Sequence, residues 1–232
     1  MQQPEDSRRY GRRTFLLVVA GGLSSLAWGS PVWRAVSAAL RPAAELLPRD
    51  VRALVPSQGW RIYTIGSSMP HFDPRRWRLK IDGLVERPLE LSYAELRALP
   101  RAEQVSTFHC VSGWTVENVH WAGVRFHDLL AAARPRREAK ALRFVSAELP
   151  YTDSLTLRQA YLRDAMLAYE MDGRPLAREH GAPVRVVIPE MYGYKNVKWV
   201  ERIELTDESV DGFWEGLGYD RDAWVGRSNG QG

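Results

Sequence analysis

Apolar and polar positions alternate along WRLKIDGLV (77–85), and the pattern predicts a strand ending at an Asp82–Gly83 turn. RIYTIG (61–66) alternates enough for a short strand, and SSMPHFDP (67–74) reads as a loop. In SYAELRAL (92–99), Ser92 stands at a cap position with Glu95 three residues on, so a short capped helix is predicted, stopped by Pro100. EQVSTFHCV (103–111) is a predicted strand whose end delivers Cys110, and Gly113 permits a turn beyond it. Helical apolar spacing marks VRFHDLLAAA (124–133), and a strand follows in ALRFVSAELP (141–150). YTDSLTLRQAYL (151–162) reads as a turn leading into a helix, and MLAYEMDGRPL (166–176) as a strand and turn cornered at Asp172–Gly173. Two more strands are predicted, APVRVVIP (182–189) and VKWVERIELTD (197–207), while the tail GFWEGLGYDRDAW has little periodicity. Many strands with a few short helices and no βαβ rhythm give an α+β fold. Its domain is expected over residues 61–206, after a polar, proline-dotted linker at 40–60, with a tail at 207–232 packed on or near it.

The chain begins differently. A basic region ends in Arg12–Arg13, an apolar stretch runs from Phe15 to Trp28, and small residues follow in AVSAA (35–39). That order is the order of an export signal. The string GRRTFLL is similar to twin-arginine signals, which are read by the twin-arginine export machinery. The apolar stretch is short for a spanning helix of about 20 residues. Residues 1–39 are therefore expected to be such a signal or an N-terminal anchor, placing the body in the periplasm or another extracytoplasmic space. The charge follows the same division. Residues 1–41 hold six arginines and two acids, whereas residues 42–232 hold 26 basic and 26 acidic residues, so the whole +4 sits in the first 41 residues. The neutral body gives no case for nucleic-acid binding.

Cys110 is the one cysteine in 232 residues, so no internal disulfide can form. Three readings stay open: a quiet buried thiol, a nucleophile served by His120 or His180, or a soft-metal ligand whose partners arrive with an organic cofactor. His109 is adjacent in sequence, but neighbours on a strand point to opposite faces. A zinc site lacks the ligand spacing it would need. No glycine-rich phosphate loop or dinucleotide fingerprint is present. The block HGAPVRVVIPEMYGYKNVKWVERIEL (180–205) carries Lys195 and Lys198 three apart beside Gly193. Lysines in such a loop either face solvent or hold a phosphate as point charges.

The two blocks together carry a resemblance. Cys110–Val111–Ser112–Gly113–Trp114, followed by Trp121–Ala122–Gly123–Val124 and Asp128–Leu129–Leu130, resembles the molybdenum-ligand segment of the sulfite oxidase family. HGAPVRVVIPEMYGYKNVKW resembles that family's pterin-binding loop, and PYTDSLTL (150–157) and WRLKIDGLVERPLELSYAEL (77–96) also fit. Within the family the chain is similar to the small periplasmic branch that includes the catalytic subunit of a methionine sulfoxide reductase. It departs from that branch at Ser112–Gly113, at Val116–His120 and in the tail. The resemblance implies molybdenum with one molybdopterin as cofactor, and Cys110 as both the metal's thiolate ligand and a catalytic residue. It implies His71, His180, Arg185, Gly193, Lys195 and Lys198 along the pterin or its phosphate, with Tyr151 and Asp153 near the mouth as further catalytic residues. Two-electron oxygen-atom transfer is then expected, such as reduction of methionine sulfoxide or another S- or N-oxide. The alternatives are sulfite-type oxidation, or a non-catalytic binding module retaining the fold. The implied partners are a small or protein-bound oxidised substrate and a haem-containing membrane subunit or soluble cytochrome. An anionic substrate would call for clustered arginines, for which Arg125, Arg185 and Arg221 are candidates.

Overall fold

Leu79 and Ile81 alternate with the exposed Arg78 and Lys80 along β1 (Arg78–Gly83), so one face of the strand is sealed and the other is wet. The computed structural model describes residues 59–229; the predicted signal and all but the end of the linker lie outside the described residues. β1 pairs in parallel with β10 (Val200–Thr206) and antiparallel with β2 (Leu89–Ser92). β10 continues to β5 (Ala141–Ser146), and β5 to β6 (Thr152–Thr156), completing a five-stranded sheet in the order β2-β1-β10-β5-β6. A second sheet runs β3 (Ala102–His109), β4 (Thr115–Arg125), β7 (Met166–Met171) and β8 (Arg174–Pro175), with β9 (Arg185–Val187) added beside β7.

Among the described residues three short α-helices close the ends. In α1 (Tyr93–Ala98) the predicted capping box forms, with the Ser92 hydroxyl accepting from the Glu95 amide and the Glu95 carboxylate accepting from the Ser92 amide. α2 (Phe126–Ala133) seals Phe126, Leu129 and Leu130 into the main core. α3 (Leu157–Ala160) is likewise boxed, by Thr156 and Gln159. The main core gathers both strand sets, from Leu79 and Phe144 to Leu167 and Val186. A smaller core, with Val119, Trp121, Met166 and Ala168, packs on the other face of the second sheet. The mixed α+β architecture matches the expectation. Among the described residues no helix is long and apolar enough to cross a membrane.

Three local predictions change. Residues 61–66 form no strand; they run as an extended strap bonded to side chains. Residues 152–156, read as a turn, are strand β6. Arg125 ends β4, so α2 begins at Phe126 rather than at Val124, and β4 itself had no counterpart in the sequence reading.

Candidate active site

Cys110 sits in the turn between β3 and β4. The turn is closed by the Cys110 amide donating to the Trp114 carbonyl (2.9 Å) and the Gly113 amide donating to the Cys110 carbonyl (3.0 Å). Gly113 takes φ +90°, a conformation that side-chain-bearing residues rarely adopt, so the turn that presents the thiol depends on it. The sulfur lies 3.2 Å from the Ser112 hydroxyl. It faces a cavity of about 240 Å³. Strand alternation turns His109 away, and it is not among the residues lining that cavity.

Four segments meet the Cys110 turn around this space. Trp60 to Ile65 form a strap along one side, and Glu148 and Tyr151 come from the β5–β6 connection. His180, Arg185, Gly193, Tyr194 and Lys198 come from the β7–β10 region, and Trp214 and Tyr219 from the tail. Trp114 also lines the cavity, with an indole N–H that has no protein acceptor. Trp121 stands behind it in the smaller core, its ring 5.3 Å from the Arg185 guanidinium.

The electrostatics of the wall are lopsided. Arg185 is buried, and its hydrogen bonds run only to the backbone carbonyls of His180, Asn196 and Val186. Lys198 donates to the carbonyls of Tyr63 (2.7 Å) and Glu179 (3.3 Å) and lies 4.0 Å from the Trp199 ring centroid. Burial without a carboxylate partner disfavours the charged form. Arg185 is accordingly pushed down to about 10, and Lys198, which also feels Arg185, to about 8. His180 is pushed down to about 4 by burial and then by Arg185, and its buried Nδ1 has no protein partner. Gly193 lets the backbone come close here, since a Cβ at that position would collide with the Cζ edge of the Phe108 ring. An anion entering the cavity would supply both Arg185 and Lys198 with the partner charge they lack.

The expected residues divide in two. Cys110, Tyr151, His180, Arg185, Gly193 and Lys198 share the cavity wall. His71 is exposed in the loop before β1 and does not line the cavity. Lys195 and Asp153 are also off the wall. The Lys195 ammonium is 1% exposed and bonds Asp153 Oδ1 (2.6 Å), the Ser154 carbonyl (3.2 Å) and the Glu215 carboxylate, so none of its protons is left for a phosphate. The arginine cluster does not form either: Arg125 bonds Gln104 and Arg221 pairs with Asp211, leaving Arg185 alone of the three at the cavity. Sequence reasoning missed Arg61, Glu148, Trp214 and Tyr219 on the wall. The only hint for the last two was the aromatic density of the tail.

Among the described residues no three His, Cys, Asp or Glu side chains converge as a metal site. Cys110 can therefore hold a metal only if the metal's other ligands come with it. The remaining features fit a phosphorylated organic group: unneutralised cations, an unpartnered imidazole nitrogen and a glycine cradle beside a single thiol.

Comparison with known proteins points the same way. Residues 66–214 match the model of the family described as the oxidoreductase molybdopterin binding domain. An uncharacterized oxidoreductase of Bacillus subtilis is 39% identical over 65% of this chain and 76% of its own length. The catalytic subunit of a protein-methionine-sulfoxide reductase of Campylobacter jejuni is 30% identical over 62% of this chain, and the match spans 54% of that protein. A putative protein-methionine-sulfoxide reductase subunit of Azospira oryzae is 33% identical over 67% of this chain and 58% of its own length. Among solved structures, the sulfane dehydrogenase of Paracoccus pantotrophus superposes with a TM-score of 0.58 at 29% identity, covering 62% of this chain and 41% of that one.

Proposed function

The chain belongs to the oxidoreductase molybdopterin-binding domain family, and on that premise we propose that it holds molybdenum with one molybdopterin and reduces a sulfoxide or related S- or N-oxide by two-electron oxygen-atom transfer. The observation that carries this reading is a single thiol facing a cavity whose buried cations have no carboxylate partner. Cys110 would hold the metal, and Arg185 and Lys198 would hold the phosphate, with His180 Nδ1 offering a further contact. When bound, the group supplies the redox chemistry, and the protein binds, orients and tunes.

The chain's own residues have definite tasks. The Ser112 hydroxyl is close enough to donate to a Cys110 thiolate, which would draw electron density from the sulfur. Tyr151 donates its phenol proton to the Tyr194 carbonyl at 2.5 Å, and burial with the nearby Asp153 and Glu215 charges raises it well above the usual tyrosine range. It therefore keeps its proton through neutral pH and presents a fixed O–H dipole at the wall. Trp60, Phe108 and Trp114 pack ring to ring and restrict water on the thiol's side, with centroids 4.9 Å apart for Trp60–Phe108 and 5.6 Å for Phe108–Trp114.

Likeness to methionine-sulfoxide reductase subunits favours the reductive direction. Oxidation of a sulfur compound is the second reading, favoured by likeness to the sulfane dehydrogenase and by Arg61, a cation on the strap side of the cavity. We place the mature protein outside the cytoplasm, exported through the twin-arginine signal at Arg12–Arg13 and exchanging electrons with a haem-containing membrane subunit or soluble cytochrome. The test begins with metal analysis of protein from a molybdopterin-competent host. One molybdenum per chain is expected, with loss in Cys110→Ser; folded, metal-free wild-type protein would sink the reading. Dye-coupled assays with methionine sulfoxide, other S- and N-oxides and sulfite then decide the direction.

A further inference from the structure

Asp153, Lys195 and Glu215 belong to three elements, and each stands beside a residue of the cavity wall. Asp153 lies on β6 two residues after Tyr151, Lys195 follows Tyr194 in the 3-10 turn Gly193–Lys195, and Glu215 follows Trp214 in the tail. Their side chains are 1–2% exposed. The ammonium's three protons are all in use, on Asp153 Oδ1, Glu215 Oε1 and the Ser154 carbonyl. Asp153 Oδ1 also accepts from the Ser154 amide at 2.6 Å. That leaves Asp153 Oδ2 and Glu215 Oε2 buried without a donor. One cation thus faces two acids away from water. With both acids ionised the cluster is net negative and carries two bare oxygens; one added proton makes it neutral.

We propose that this cluster is a one-proton clamp: protonated, it ties the tail wall bearing Trp214 to the Tyr151 and Tyr194 walls, and on losing its proton to solvent it loosens the tail from the cavity. The surrounding charges agree. Asp153 is held up to about 7 because burial, reinforced by Glu215, outweighs the attraction of Lys195. The other titratable groups facing the cluster are Tyr151 and Tyr194, both raised and so neutral throughout. The sign follows from linkage. The folded state holds the Asp153 proton more tightly than the unfolded state, so this contribution is full at low pH and is lost as pH rises to about 7. Lys195 and Glu215 are then positioning residues for the tail wall rather than cofactor contacts. The consequence for turnover rests on the cavity being the reaction site; the clamp itself does not.

The test is amide exchange of residues 213–219 in the purified full chain, corrected for intrinsic rate, at pH 5.5, 7 and 8.5. Exchange should speed up about 10-fold or more across that range in wild type, since one proton bound differentially gives about a factor of ten per pH unit. In Asp153→Asn the dependence should vanish, because the amide keeps the shape but cannot titrate. Glu215→Gln gives the same outcome by the other acid if Asp153→Asn does not fold. A wild-type segment whose protection is independent of pH, or an unchanged pH dependence in either variant, overturns the proposal. Molybdenum content, measured on the same samples, reports separately on the function proposed above.

Discussion

Lys195 and Lys198 are three residues apart in one loop, and the fold gives them opposite tasks. Lys195 is neutralised by acids 42 and 20 residues away in sequence. Lys198 bonds only carbonyls, and its pKa falls to about 8. Because the folded chain binds the Lys198 proton more weakly than the unfolded one, its charge costs stability at neutral pH, and stability regained through this group grows between about pH 8 and its ordinary 10.5. Lys198→Met should therefore leave the thermal stability of cofactor-free protein equal or higher at pH 7. It should also weaken binding of inorganic pyrophosphate about 10-fold or more, the scale of one charge-assisted hydrogen bond. Scanning calorimetry checks the first part and calorimetric titration the second. Wild-type affinity should fall as pH passes 8, and an affinity equal at pH 7 and 9.5 would remove Lys198 from the anion's contacts. No local pattern in YGYKNVKW separates the two lysines, because what separates them is tertiary: which acids come to them. Cys110, by contrast, is legible as an anomaly, since a lone thiol behind an expected export signal needs a reason wherever it folds.

At the scale of elements, alternation announced the strands with one wet face, and capping chemistry announced α1. It failed where polarity and burial part company. β6 reads TDSLT, too polar for a core strand, yet Asp153 and Ser154 are buried because Lys195 bonds one oxygen of Asp153 and Ser209 bonds Ser154. β4 carries a register shift near Asn118, which takes φ +55°, so its period of two breaks midway. The strap at 61–66 alternates like a strand but meets no edge to pair with. The 3-10 turn Gly193–Lys195 was signalled only by its glycine, and the packing explains why. Phe108 is held between Trp60, Trp114 and the Arg185 guanidinium, with its ring against Gly193. A methyl group there must push that ring toward the cavity. Gly193→Ala should cost about 1–3 kcal/mol, the range for overpacking a filled site. Urea denaturation measures it, and lower molybdenum occupancy should accompany it; an unchanged midpoint would mean that the aromatic cluster gives way freely.

The described body as a whole builds its cavity from sequence-distant pieces and leaves two of its sides to segments near the ends. The family match begins at Gly66 and ends at Trp214. Trp60 to Ile65 and Tyr219 line the same cavity outside that match. The strap is tied by the buried Glu148, whose carboxylate accepts from the Ile65 amide (2.9 Å), the Gly66 amide (3.1 Å) and the Thr64 hydroxyl. Lys198 holds the Tyr63 carbonyl from the other side. An anion that draws Lys198 away removes that tie but leaves Glu148, so the strap should stay attached at Ile65–Gly66 and free itself toward Tyr63. Glu148→Ala removes the second tie. Amide exchange at Ile65 and Gly66 should then rise about 10-fold or more, since bonds to an ionised group carry about 1.5–3 kcal/mol. Pyrophosphate should add little to that rise in the variant, whereas in wild type it should leave these two amides protected. If the two amides exchange equally fast with and without Glu148, the strap is held by its aromatic contacts instead, with Trp60 4.9 Å from both Phe108 and His180 as the anchor.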